Sequence, residues 1–140
     1  MTAPLLEVSG LTKRFRMERT VGDTLRRKPH PAVHALNGVD LSVQRGETLG
    51  IVGESGSGKS TLARCIVRLI EADEGTLRYD GVDIRGLAGG DRRAFNRRVQ
   101  MVFQDPYASL NPRLRIRQIL GEALDAHGLA RGKADRKSVV

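Results

Sequence analysis

The chain has 140 residues, of which 39% are apolar and 16 are glycine, a balance that suits a globular domain or part of one and excludes wholesale disorder. Twenty-four Lys and Arg against 16 Asp and Glu give a net charge of +8, which favours an anionic partner (nucleotide, nucleic acid or lipid surface) without choosing among them. No apolar run approaches the ~18 residues of a membrane span, no secretion signal is expected, and the single Cys65 cannot form an intrachain disulfide, which fits a reducing compartment.

In chain order, Leu6 and Val8 alternate with Glu7 and Ser9, so residues 5–15 read as a half-buried strand ending near Phe15. Residues 16–32 are basic and without period, closing on Pro29-His30-Pro31, and read as a loop insertion. Val39, Leu41 and Val43 predict a second strand with one wet face. Thr48 to Val52 is apolar on both faces, the pattern of a buried central strand in a parallel sheet. Leu62, Ile66, Leu69 and Ile70 predict a helix over 60–71. Asp80-Gly81, between two short strand-like runs, predicts a type I′ hairpin. Residues 85–98 carry Arg92, Arg93, Arg97 and Arg98 on an expected exposed helix. Val99, Met101 and Phe103 alternate as a strand ending at Gln104, and Ile116 to His127 has helical spacing. Cys65 reads as a small buried hydrophobe, and His30, His34 and His127 as surface or loop residues without metal-ligand spacing.

The segment Gly53-Glu54-Ser55-Gly56-Ser57-Gly58-Lys59-Ser60 matches G-x-x-x-x-G-K-[ST], the P-loop. Its glycines let successive backbone N–H groups approach phosphate oxygens, and the following helix points its positive end at the same place. Lys59 supplies a mobile point charge for the β- and γ-phosphates. Ser60 supplies a hard oxygen for Mg²⁺, and Thr61 continues the run of polar groups. A chance match in this composition has a probability of roughly 6 in 1,000, and the strand and helix on either side are read independently.

With that motif in place, the sequence resembles ATP-binding cassette ATPases, the energising subunits of transporters. Residues 45–64, the hairpin at 75–84 and the segment Gln100 to Arg113 carry the likeness. The wording Gln104-Asp105-Pro106 … Ser109-Leu110-Asn111-Pro112, with the basic insertion, is similar to the oligopeptide and dipeptide importer branch, which includes nickel importers. The resemblance implies an α/β P-loop NTPase fold, with an antiparallel β subdomain and the first part of a RecA-like core, stopping in the helical subdomain. It implies that Phe15 stacks on adenine, and that Gln104 is the Q-loop glutamine sensing Mg²⁺ and the γ-phosphate. It further implies ATP and Mg²⁺ as ligands and a second ATPase subunit as partner. Residues 105–113 would contact permease subunits, an extracytoplasmic solute-binding protein would act indirectly, and the location would be the cytoplasmic face of the membrane.

A signature motif, an acidic pair for Mg²⁺ and water, and a switch histidine do not occur in the 140 residues; His127 lies too early to be that histidine. The chain is thus expected to be the N-terminal portion of an ATPase, aggregation-prone alone and with negligible turnover. Two other readings are weighed against this. Another P-loop NTPase, a kinase or GTPase, is disfavoured by residues 99–113 and by the strand-rich start. A nucleic-acid binder is disfavoured by five widely spaced aromatics, which offer no stacking platform.

Overall fold

The computed structural model describes residues 3–16, 32–105 and 110–129. The basic segment 17–31, residues 106–109 and the residues from 130 lie outside the described residues. Two compact units emerge, Met1–Arg92 and Arg93–Val140.

The first unit is built on a four-stranded antiparallel sheet in the order β2-β1-β3-β4, with β1 Leu6–Arg16, β2 Ala32–Val43, β3 Glu74–Tyr79 and β4 Val82–Asp83. Central β1 pairs with β2 from Leu6↔Val43 to Arg16↔Ala32, and with β3 from Leu6↔Tyr79 to Thr12↔Glu74. Its apolar phase changes from Leu6 and Val8 to Leu11 because Gly10, at φ +60°, forms a bulge. The Asp40 carboxylate accepts the Gly10 N–H at 2.7 Å. Buried Thr12 is satisfied there too, donating to the Gly10 carbonyl and accepting the Gly38 N–H. Asp80 (φ +53°) and Gly81 (φ +78°) make the β3–β4 turn with both central residues left-handed, as the Asp-Gly pair predicts.

Helix α1, Lys59–Ile66, buries Leu62 and Cys65 and lies against β2. Val8, Leu11, Leu36, Leu77 and Ile84 complete the small core of this unit. The helix is shorter than the predicted 60–71: Arg68 turns left-handed (φ +58°), and its guanidinium donates to the carbonyls of Leu87 (2.7 Å) and Arg85 (2.8 Å). Those two bonds offset the strain of a non-glycine left-handed residue, which typically costs ~1–3 kcal/mol. Helix α2, Gly89–Arg98, runs across the boundary between the units and buries Phe95.

Two predicted strands are not formed. Residues 48–52 have no ladder partner, and Leu49, Ile51 and Val52 are 42%, 47% and 95% exposed. Residues 99–103 are likewise irregular, with Val102 exposed. A strand exists only through pairing, and every strand among the described residues belongs to the antiparallel sheet, so neither segment finds a parallel neighbour.

In the second unit, α3, Ile116–Ala126, starts with the Arg115 N–H donating to the Gln118 side-chain oxygen at 2.9 Å. The Arg97 guanidinium donates to the His127 carbonyl at its far end.

The Asp73 carboxylate accepts from the Arg14 N–H (2.6 Å) and the Lys13 ammonium (3.0 Å), and Glu74 pairs with the Arg14 guanidinium. These bonds, the Arg14 N–H first, hold the Asp73 carboxyl below the usual aspartate value, while neighbouring buried Cys65 is pushed up by desolvation. A lowered folded value means this contribution is present above about pH 4, the ordinary aspartate value, and is lost as pH falls through the folded one. The melting temperature of the wild type is therefore expected to fall more steeply with acidification below about pH 4 than that of Asp73→Asn. Parallel slopes would contradict the assignment.

Candidate functional site

After β2 and the turn at Arg45-Gly46, the chain runs unpaired to Gly53 and then coils into α1. Gly56 and Gly58 are left-handed at φ +84° and +95°. A Cβ on Gly58 would collide with the Ala35 carbonyl of β2, and one on Gly53 would lie 2.8 Å from the Ser57 hydroxyl. The loop is thus pressed against the sheet, and side chains are excluded at two of its points. Within it the Ser57 N–H bonds the Glu54 carbonyl at 3.2 Å, and the first helical bond is Leu62 N–H to Gly58 O. No side chain caps α1 at Gly58, so the N–H groups of Lys59, Ser60 and Thr61 have no acceptor within the helix. They point outward, with the helix dipole behind them.

The Lys59 ammonium folds over this loop, donating to the carbonyls of Gly53 (2.8 Å) and Glu54 (2.6 Å) and to the Ser57 hydroxyl (3.1 Å). Beside it is a cavity of about 180 Å³, walled by Gly56 to Thr61 on one side and by Val33, His34 and Ala35 on the other. That volume is below the ~300 Å³ at which pockets begin to enclose a whole drug-sized ligand, and suits a chain of phosphates better. Amide donors, a helix N-terminus, an ammonium and glycine-only clearance fit an anion, with the Ser60 hydroxyl at the rim for a cation bound alongside.

Phe15 stands opposite Val33 in the β1–β2 ladder, so the two side chains share a face of the sheet. Its ring is 40% exposed, and the Lys13 ammonium lies over it, 5.6 Å from the centroid. Phe15 is therefore linked in register to the cavity wall. Gln104 belongs to the second unit, exposed in the irregular stretch after α2. Cys65 is 3% exposed, inside the core. The wall residues Val33 to Ala35 escape sequence reasoning because the second strand reads as starting at Val39; no alternation marks 32–38.

The sequence profile of a family described as ABC transporter matches residues 36–138. The chain belongs to the ABC transporter family. This ABC chain is 42% identical over 137 residues to the oligopeptide transport ATP-binding protein OppF of Bacillus subtilis (strain 168), covering 97% of itself and 41% of that protein. It is 46% identical over 108 residues to the dipeptide transport ATP-binding protein DppF of Lactococcus lactis subsp. cremoris (strain MG1363), covering 76% and 35% respectively. Its fold matches the ATP-binding cassette MJ0796, solved as a dimer in a post-hydrolysis state bound to ADP and Pi. The TM-score is 0.67 at 26% identity, covering 94% of this chain and 53% of that one. The ABC chain thus spans about two fifths or less of the length of these curated relatives, and its fold is that of an ABC cassette's P-loop NTPase portion.

Proposed function

We propose that the 140 residues are the nucleotide-binding part of an ATPase subunit that powers import of peptides or a related solute across the cytoplasmic membrane. The observation that carries this is the P-loop cradle: three outward N–H groups, the Lys59 ammonium and a phosphate-sized cavity at one helix start. In this reading residues 1–140 form a partial nucleotide-binding domain, with 16–32 as a basic insertion and 105–140 as the Q-loop and the start of the helical subdomain. Gly53 to Gly58 wrap the phosphates, Lys59 exchanges its loop carbonyls for phosphate oxygens, and Thr61 adds a donor at the helix start. Phe15 stacks on the base. Ser60 and Gln104 hold Mg²⁺, which when bound offsets the phosphate charge. Hydrolysis would further require a second ATPase subunit. Residues 105–113 would couple the subunit to a permease fed by a solute-binding protein, which places the protein on the inner face of the membrane. No helix among the described residues is long and apolar enough to cross a membrane.

Calorimetric titration with Mg-ATP tests this. Saturable 1:1 binding is expected, without measurable phosphate release by the 140-residue chain. Absence of saturable binding, together with DNA binding that is steeply salt-dependent and indifferent to ATP, would replace the proposal with a nucleic-acid reading.

A further inference from the structure

Beyond Thr12↔Glu74 the ladder between β1 and β3 ends, yet β1 continues for four residues to carry Phe15. On its β2 side this extension stays paired, with a register shift between Lys13 and Arg14. On its other side no strand pairs with it among the described residues, and the Asp73 side chain takes over the Arg14 N–H. One Asp73 carboxylate oxygen accepts the Arg14 N–H at 2.6 Å, where a continued β3 would have supplied a carbonyl. The other oxygen accepts from the Lys13 ammonium at 3.0 Å, and the Asp73 N–H bonds the Thr12 carbonyl at 2.9 Å. Asp73 therefore grips three consecutive residues immediately before Phe15.

The grip reaches the ring. The Lys13 side chain is only 15% exposed, and its ammonium sits between the Asp73 carboxylate and the Phe15 ring, 5.6 Å from the centroid. That distance is within the range of a cation–π contact. A cation fixed on one face of the ring leaves the remaining surface for another flat group, and a ring held in one orientation loses less freedom when such a group stacks on it.

We propose that Asp73 is a positioning residue for nucleotide binding: by pinning Lys13 against Phe15 and replacing the missing strand at Arg14, it fixes the aromatic surface that meets the base. This rests on the reading of Phe15 as the base-stacking residue and adds to it the device that sets the ring.

The test compares ATP with inorganic tripolyphosphate, which has the phosphates and no base, on the intact protein. Asp73→Ala is expected to weaken ATP about three- to tenfold, the scale of one lost cation–π contact with its ordering, and to leave tripolyphosphate unchanged. Lys13→Met, which keeps the Arg14 N–H bond, is expected to show the same base-dependent loss and guards against a folding failure in Asp73→Ala. In a Phe15→Ala background, Asp73→Ala should have no further effect. Asp80→Asn, which breaks the more exposed Arg45–Asp80 pair (2.5 Å) elsewhere on the sheet, should change neither ligand. Equal losses for both ligands would overturn the proposal in favour of a purely structural role. Full additivity with Phe15→Ala would also overturn it. If Phe15→Ala itself leaves ATP binding intact, the stacking reading falls first and the proposal falls with it. A weakened Phe15→Ala beside an unaffected Asp73→Ala and Lys13→Met would sink the positioning role alone.

Discussion

Lys59→Ala is expected to lower the affinity for Mg-ATP by about 100-fold or more. Hydrogen bonds to charged groups are each worth ~1.5–3 kcal/mol, and two from one ammonium to the phosphates account for a loss of this size. The same ammonium holds the carbonyls of Gly53 and Glu54 and the Ser57 hydroxyl, so the substitution also frees the loop that presents the amide donors. The two contributions separate in a pair of measurements. Affinity by titration reads both, and the melting temperature without nucleotide reads only the loop. Because the three Lys59 bonds are exposed, a shift of only a degree or two is expected in the melt. A loss of affinity under about fivefold would mean that this loop is not where the phosphates bind.

Gly58→Ala is expected to be the most damaging small substitution in the loop, costing about 2–4 kcal/mol of stability. Two penalties coincide there: a left-handed backbone at φ +95°, and a Cβ directed into the Ala35 carbonyl of β2. Backbone on both sides leaves no flexible side chain to give way. Gly56→Ala provides the internal comparison. Gly56 is also left-handed, at φ +84°, but a Cβ there meets nothing within 4 Å, so only the conformational term applies, ~1–2 kcal/mol. Denaturant unfolding of the two variants should differ by at least ~1 kcal/mol. Equal values would mean that the loop is not pressed on β2 as described.

Much of the first unit was readable wherever a local rule decides the backbone. Asp80-Gly81 specifies its turn through positive φ at both residues, and the P-loop pattern specifies a loop and a helix start. Both stand where the residues place them. Residues fail to announce their structure where distant partners decide it. The end of α1 depends on Arg68 reaching carbonyls 17 and 19 residues away, while the apolar spacing of Leu69 and Ile70 suggests that the helix goes on. The early start of β2 at Ala32 depends on the extension of β1 toward Arg16, a partner distant in sequence. The apolar run of 48–52 reads as a strand buried on both faces, yet it forms no ladder and stays exposed; a pattern records what a strand needs and cannot provide the neighbours. For the candidate site, the glycine-rich loop and helix start were legible and the β2 wall was not, because Val33 to Ala35 carry no chemical signature of their own.

The order of strands across the sheet sets a timetable for synthesis. Central β1 ends at Arg16, and its partner β3 begins only at Glu74. The 57 residues between them take roughly 3–12 s to translate at ~5–20 residues per second. During that interval one edge of β1 lacks the strand that pairs with it among the described residues, while the glycine-rich loop and α1 emerge between the two strands that will flank it. Closing β3 onto β1 then anchors both ends of the excursion that carries the loop. The sheet that carries the glycine-rich loop is thus completed by a strand that takes no part in the cavity.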